Sequence, residues 1–136
     1  MSQLQLRSGD TVALISCSDG IAWGKRNSVD ELIQHLTAWG LRIEEAKTLM
    51  QAEYGWSGSP EQRASELNRL FADPNVKAIF DISGGDSANG ILPYLDYDLI
   101  ARSQTPLFGM SDLSVVLNAI YARTGVSGYH YQVMNL

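Results

Sequence analysis

The sequence predicts a three-layer α/β fold, a mostly parallel sheet with helices on both faces. Three observations lead there. Short apolar, β-leaning runs alternate with segments whose apolar residues recur at helical spacing. Capping and breaking residues punctuate those helical segments at their ends. Loops of small residues follow three of the strand-like runs, where a parallel sheet has its carboxyl edge.

The first run is Thr11 to Ser16 (TVALIS), opening after the turn signal Ser8-Gly9-Asp10 and reading as a buried strand. A polar loop, Cys17-Ser18-Asp19-Gly20, follows. Val29, Leu32, Ile33 and Leu36 then mark a helix, with Ser28 and Glu31 spaced as a capping box and Gly40 at the C-terminal stop. Leu41 to Ala46 alternates as a second strand, and Glu44-Glu45 makes it an exposed or edge one. Tyr54-Gly55-Trp56-Ser57-Gly58 is a loop with two large aromatics. Ser59-Pro60-Glu61-Gln62 is a full helix start, Ala64, Leu67, Leu70 and Phe71 give the apolar stripe, and Asp73-Pro74 ends it.

Val76 to Ile82 is the strongest strand after the first and runs into Ser83-Gly84-Gly85-Asp86-Ser87. Ile91 to Leu95 and Tyr97 to Arg102 suggest short helical turns. Pro106 to Met110 is a strand, and Asp112 to Arg123 a helix apolar on nearly every side, expected to be deeply buried and closed by Gly125. Val126 to Tyr131 reads as one more short strand. The alternation implies a Rossmann- or flavodoxin-like sheet. No repeat or linker interrupts it, so residues 1–136 are expected to form one domain.

Net charge of −5 with ten scattered Lys and Arg argues against a nucleic-acid partner. No apolar run approaches the roughly 18 residues of a membrane span, and the polar first ten residues do not resemble a signal peptide. One cysteine, Cys17, excludes a disulfide framework and a cysteine metal site; a small, partly buried thiol is expected. A cytoplasmic protein without metal or cofactor is the expectation.

The candidate site is the corner Phe108-Gly109-Met110-Ser111-Asp112-Leu113-Ser114. A serine between a strand and a helix can be an exposed nucleophile, with the next backbone N–H aimed at the reacting oxygen. It can equally cap the helix, and Leu113 replaces the final Gly of the usual elbow pattern. Convergence of Ser16–Gly20, Ser83–Ser87 and Ser111 at one sheet edge favours a site. Gly84-Gly85 can present N–H groups to an oxyanion, or be a plain tight turn.

With these residues in view, the chain resembles the LD-carboxypeptidase family of serine peptidases, which includes the microcin C immunity peptidases. The resemblance runs through "GDTVALIS", "SGSPEQRASELNRLFADPNVKAIF", "GGDSANGILPYLDYDLI" and "LFGMSDLSVVLNAIYARTG", in family order and spacing. The loop "SGGDSANGILPYLDYDLI" resembles the microcin-immunity branch more than the cell-wall tetrapeptide branch, which usually has Arg-Gly-Gly-Tyr-Gly there.

The resemblance implies that Ser111 is the acyl-forming nucleophile, with an oxyanion hole from the N–H of Asp112 and one from Gly84-Gly85. Ser83, Asp86 and Ser18 would line the substrate site, and the Asp112 side chain would anchor its own helix. The implied substrate is a small peptide or an aminoacyl-nucleotide mimic. In the family, the Glu and His of the triad lie in a C-terminal domain that this sequence does not contain, so the chain reads as the N-terminal, nucleophile-bearing domain. Its two histidines, His35 and His130, are not expected to replace that base. The chain alone should then have little or no peptidase activity, because a serine without a base is a poor nucleophile.

Two other readings compete. One is a non-catalytic stand-alone module, dimeric or docked on a missing half through Trp23, Tyr54, Trp56, Tyr129 and Tyr131. The other is a flavodoxin- or receiver-like module, supported by Asp81 but lacking the acidic pair after the first strand and any Lys after Lys77.

Overall fold

The computed structural model describes residues 4–52 and 55–135. Five parallel strands stand in the order β2-β1-β3-β4-β5: β1 Thr11–Ile15, β2 Arg42–Glu45, β3 Val76–Asp81, β4 Leu107–Gly109 and β5 Tyr129–His130. Four α-helices connect them: α1 Arg26–Ala38, α2 Pro60–Ala72, α3 Tyr97–Ser103 and α4 Leu113–Thr124. Short 3₁₀ turns add Trp23–Lys25, Ala88–Tyr94 and Val133–Asn135. The expected α/β sheet is the one found. No described helix is long and apolar enough to cross a membrane.

Alternation along β1 explains the layering. Ala13 and Ile15 face α2, α4 and the 88–94 turn, in a core with Leu67, Leu70, Ile79, Leu113 and Ile120. Val12 and Leu14 face α1 and pack with Val29, Leu32, Leu36, Ala78 and Phe80. On that second face Phe80, Phe108 and Tyr129 stack across β3, β4 and β5, each ring 4.8 Å from the next. Tyr54 lies outside the described residues.

The ends of α1 and α2 follow the sequence with one exception. Ser59 and Gln62 form both bonds of a capping box at the start of α2, with Pro60 in the first turn. At the end of α1, Gly40 takes φ +87°, its N–H bonds Thr37 O, and Leu41 N–H bonds Leu36 O, a Schellman motif. The expected box at Ser28 and Glu31 does not form. The Trp23–Lys25 turn feeds straight into α1, which begins at Arg26 and leaves Ser28 inside the helix.

Helix α4 is also less buried than its composition suggests. It buries one stripe, Leu113, Val116, Leu117 and Ile120, while Val115 and Tyr121 are exposed. The helix covers the short end of the sheet from one side only, so it needs a single apolar face.

Candidate active site

Strand order decides where the site lies. The chain leaves β1 towards β2 on one side and leaves β3 towards β4 on the other. The loops beyond their carboxyl ends therefore part and leave a crevice. Its volume is about 660 Å³, and its walls include Asp19, Gly20, Ile21, Lys25, Ser83, Gly84, Met110, Ser111 and Gln132. Ser111 and the Gly84 loop thus meet in one cavity.

Ser111 sits between β4 and α4 with φ +60°, a left-handed conformation that a non-glycine residue adopts at a cost. It is exposed, and among the described residues nothing hydrogen-bonds its hydroxyl. The corner closes through its backbone instead: Leu113 N–H bonds Met110 O at 3.3 Å and Ser114 N–H bonds Ser111 O at 3.0 Å. The cap reading of Ser111 therefore fails. Two residues earlier, a Cβ at Gly109 would lie 1.9 Å from Leu113 Cδ2 and 3.2 Å from Asp81 Cβ, so any larger residue would displace the Leu113 side chain.

The Gly84-Gly85 loop is braced against the loop after β1. Asp19 N–H donates to Gly84 O at 3.0 Å, and Ser83 Oγ donates to Asp19 O at 2.5 Å. Gly85 has φ +136°, and a Cβ on it would come within 2.4 Å of Ser18 Oγ. Among the described residues, the N–H groups of Gly84, Gly85 and Asp112 have no hydrogen-bond acceptor. Unpaired N–H groups near an exposed hydroxyl are the parts an oxyanion hole needs.

Other expected positions divide. Ser83 lines the crevice, whereas Asp86 is exposed and outside its walls. Ser18 is buried; its Oγ lies 3.2 Å from Ser87 Oγ and accepts from Ser87 N–H at 3.0 Å, so it braces the loop. The Asp112 carboxylate does not anchor its own helix. It accepts instead from the N–H of Ala88, at the start of the 88–94 turn, at 2.8 Å. His35 is exposed on α1, and His130 is exposed on β5 opposite Gly109. Neither histidine lines the crevice.

Arg63 escaped the sequence reading, and Asp81 entered it only as weak support for a receiver-like module. Arg63 is 2% exposed and donates to Cys17 O at 2.7 Å, Gly58 O at 3.1 Å and Ser87 O at 3.1 Å. Its signal was present: at helical spacing it shares the stripe of Leu67 and Leu70. Asp81, at the end of β3, is buried and accepts from Cys17 N–H at 2.8 Å and Ser83 N–H at 3.1 Å. Burial pushes its pKa up to about 7, against those two donors. Cys17 is fully buried rather than partly so, and burial, then Asp81, push its thiol well up, which leaves it unreactive. Among the described residues no group of His, Cys, Asp and Glu is placed to hold a metal ion.

Comparison with known proteins decides the family. Residues 12–131 match the family described as the LD-carboxypeptidase N-terminal domain. The chain belongs to the LD-carboxypeptidase family. It is 31% identical over 125 residues to the microcin C7 self-immunity protein MccF of Escherichia coli, covering 92% of this chain and 36% of that protein. It is 32% identical over 121 residues to the murein tetrapeptide carboxypeptidase of Pseudomonas aeruginosa, covering 88% of this chain and 38% of that protein. A solved structure of MccF in complex with aspartyl sulfamoyl adenosine shares the fold at a TM-score of 0.83 and 32% identity, over 88% of this chain and 36% of that one. The chain thus spans well under half the length of these LD-carboxypeptidase relatives and corresponds to their N-terminal domain.

Proposed function

We propose that Ser111 is the nucleophile of an LD-carboxypeptidase-type serine peptidase, of which this chain is the N-terminal domain. The observation that carries the reading is the left-handed Ser111 at the β4–α4 corner, its hydroxyl unengaged in the crevice. In the proposed reaction, Oγ attacks the carbonyl of an amide or acyl bond while a base takes its proton. The oxyanion is held by the N–H of Asp112 and one from Gly84 or Gly85, each donor worth about 2.7–4 kcal/mol in the transition state. The leaving group departs protonated, and water then hydrolyses the acyl-enzyme.

The base is proposed to come from outside these residues, as neither histidine lines the crevice. The 136-residue chain by itself is therefore expected to be nearly inactive. The substrate is proposed to be a small peptide or an aminoacyl-nucleotide mimic; the aspartyl sulfamoyl adenosine bound by MccF supports the second. A cytoplasmic location belongs to the same proposal and draws on the single cysteine.

A fluorophosphonate label with mass mapping tests this. Slow labelling of the chain at Ser111, lost in Ser111→Ala, is the expected result, with fast labelling of the matching serine in a full-length relative. No label at Ser111 would favour the second reading, a non-catalytic binding or dimerisation module. Of the residues expected on such a surface, Trp23, Trp56, Tyr129 and Tyr131 are exposed. Turnover of an LD-dipeptide by the chain at the rate of a full-length relative would overturn the expected inactivity.

A further inference from the structure

We infer that Arg63 and Asp112 are a positioning pair: they grip the two sides of one peptide group, Ser87–Ala88, and so set the distance between the Gly84-Gly85 loop and the Ser111 corner. Arg63 Nη1 donates to the C=O of Ser87 at 3.1 Å, and the Asp112 carboxylate accepts from the N–H of Ala88 at 2.8 Å. That C=O and that N–H belong to the same amide. Its dipole lies with the oxygen towards a guanidinium and the N–H towards a carboxylate, the favourable sense at both ends. Hydrogen bonds to charged groups are roughly twice as strong as neutral ones.

Both gripping groups are fixed in turn. Arg63 also donates from Nη1 to Cys17 O and from Nε to Gly58 O, which lie after β1 and just before α2. Burial lowers its pKa, and Cys17, Asp112 and Asp19 are the neighbours that counter it. Asp112 follows Ser111 directly, so its carboxylate and its unpaired N–H move as one residue. The loop is also held one bond earlier, where Ser18 Oγ accepts from Ser87 N–H. Two blander roles do not fit: Asp112 makes no side-chain bond to its own helix, and no direct Arg63–Asp112 ion pair is formed, since the peptide lies between them.

The catalytic consequence rests on the proposed role of Ser111; the grip itself does not. The test uses the ¹⁵N-labelled chain as wild type, Asp112→Asn, Asp112→Ala and Arg63→Lys, and reads amide exchange and fluorophosphonate labelling. In Asp112→Ala the Ala88 amide should exchange at least about tenfold faster as its charge-assisted bond is lost. The Gly84 and Gly85 resonances should move with it, and the first-turn amides of α4 should stay unchanged. Asp112→Asn, which keeps a neutral acceptor, should recover part of the protection. Labelling of Ser111 should slow about tenfold to a hundredfold in Asp112→Ala, the usual cost of a misplaced reacting group. Should Arg63→Lys fail to fold, the two Asp112 variants decide alone. An unchanged Ala88 amide, or loosening of the first turn of α4 instead, overturns the pair. Absence of label in the wild type overturns the nucleophile reading and leaves the amide data to judge the grip.

Discussion

Ser111 is held in a conformation that costs energy, and the cost has a local cause. Gly109 has no side chain, so Leu113 folds back onto the end of β4, and the three residues between, Met110, Ser111 and Asp112, turn sharply. Ser111 takes the left-handed position in that turn, which glycine would occupy without strain. Ser111→Gly should therefore raise stability by about 1 kcal/mol in urea unfolding while abolishing any label. A destabilised Ser111→Gly would mean that the side chain contributes to the corner after all. The sequence made Ser111 conspicuous by position, since the strand and helix patterns meet there. It did not reveal the partner of Asp112, because that bond spans 24 residues and depends on how two loops lie.

Two helices start with the same signature, and only one uses it. Ser28…Glu31 and Ser59…Gln62 share a capping-box spacing. Pro60 forces the residue before it out of the helical region, so Ser59 is extended, at φ −64° and ψ 160°, and caps α2. Nothing stops the chain before Ser28, and the preceding turn carries the helix back to Arg26. Ser59→Ala should cost about 1 kcal/mol, and Ser28→Ala no more than about 0.5 kcal/mol, in paired urea titrations. Equal losses would show that Ser28 caps in solution. Helix existence was legible throughout, because propensity and periodicity are local. The burial of α4 was not, since it depends on how much sheet lies beneath it.

At the scale of the molecule, strand order carries the function, and the sequence pointed to it only indirectly. Small-residue loops marked the carboxyl edge, yet the order 2-1-3-4-5 that parts two of them is a property of long-range pairing. The same centre shapes the response to pH. Asp81 closes β3 in full burial with its pKa raised to about 7, so the folded chain holds that proton more tightly than the unfolded one. Its contribution is complete below the unfolded value of about 3.9 and is lost as pH rises through about 7. Stability should fall between about pH 4 and 7, by up to roughly 1.4 kcal/mol per pH unit, and Asp81→Asn should flatten that slope. A wild type more stable at pH 7 than at pH 4.5 would contradict this. How such curves are recorded matters, because Trp23, Trp39 and Trp56 are all exposed in the folded chain. Their rings are already partly in water, so the fluorescence change on unfolding should be smaller than for buried tryptophans. Backbone circular dichroism, which follows the helices and the sheet directly, is the probe this architecture calls for.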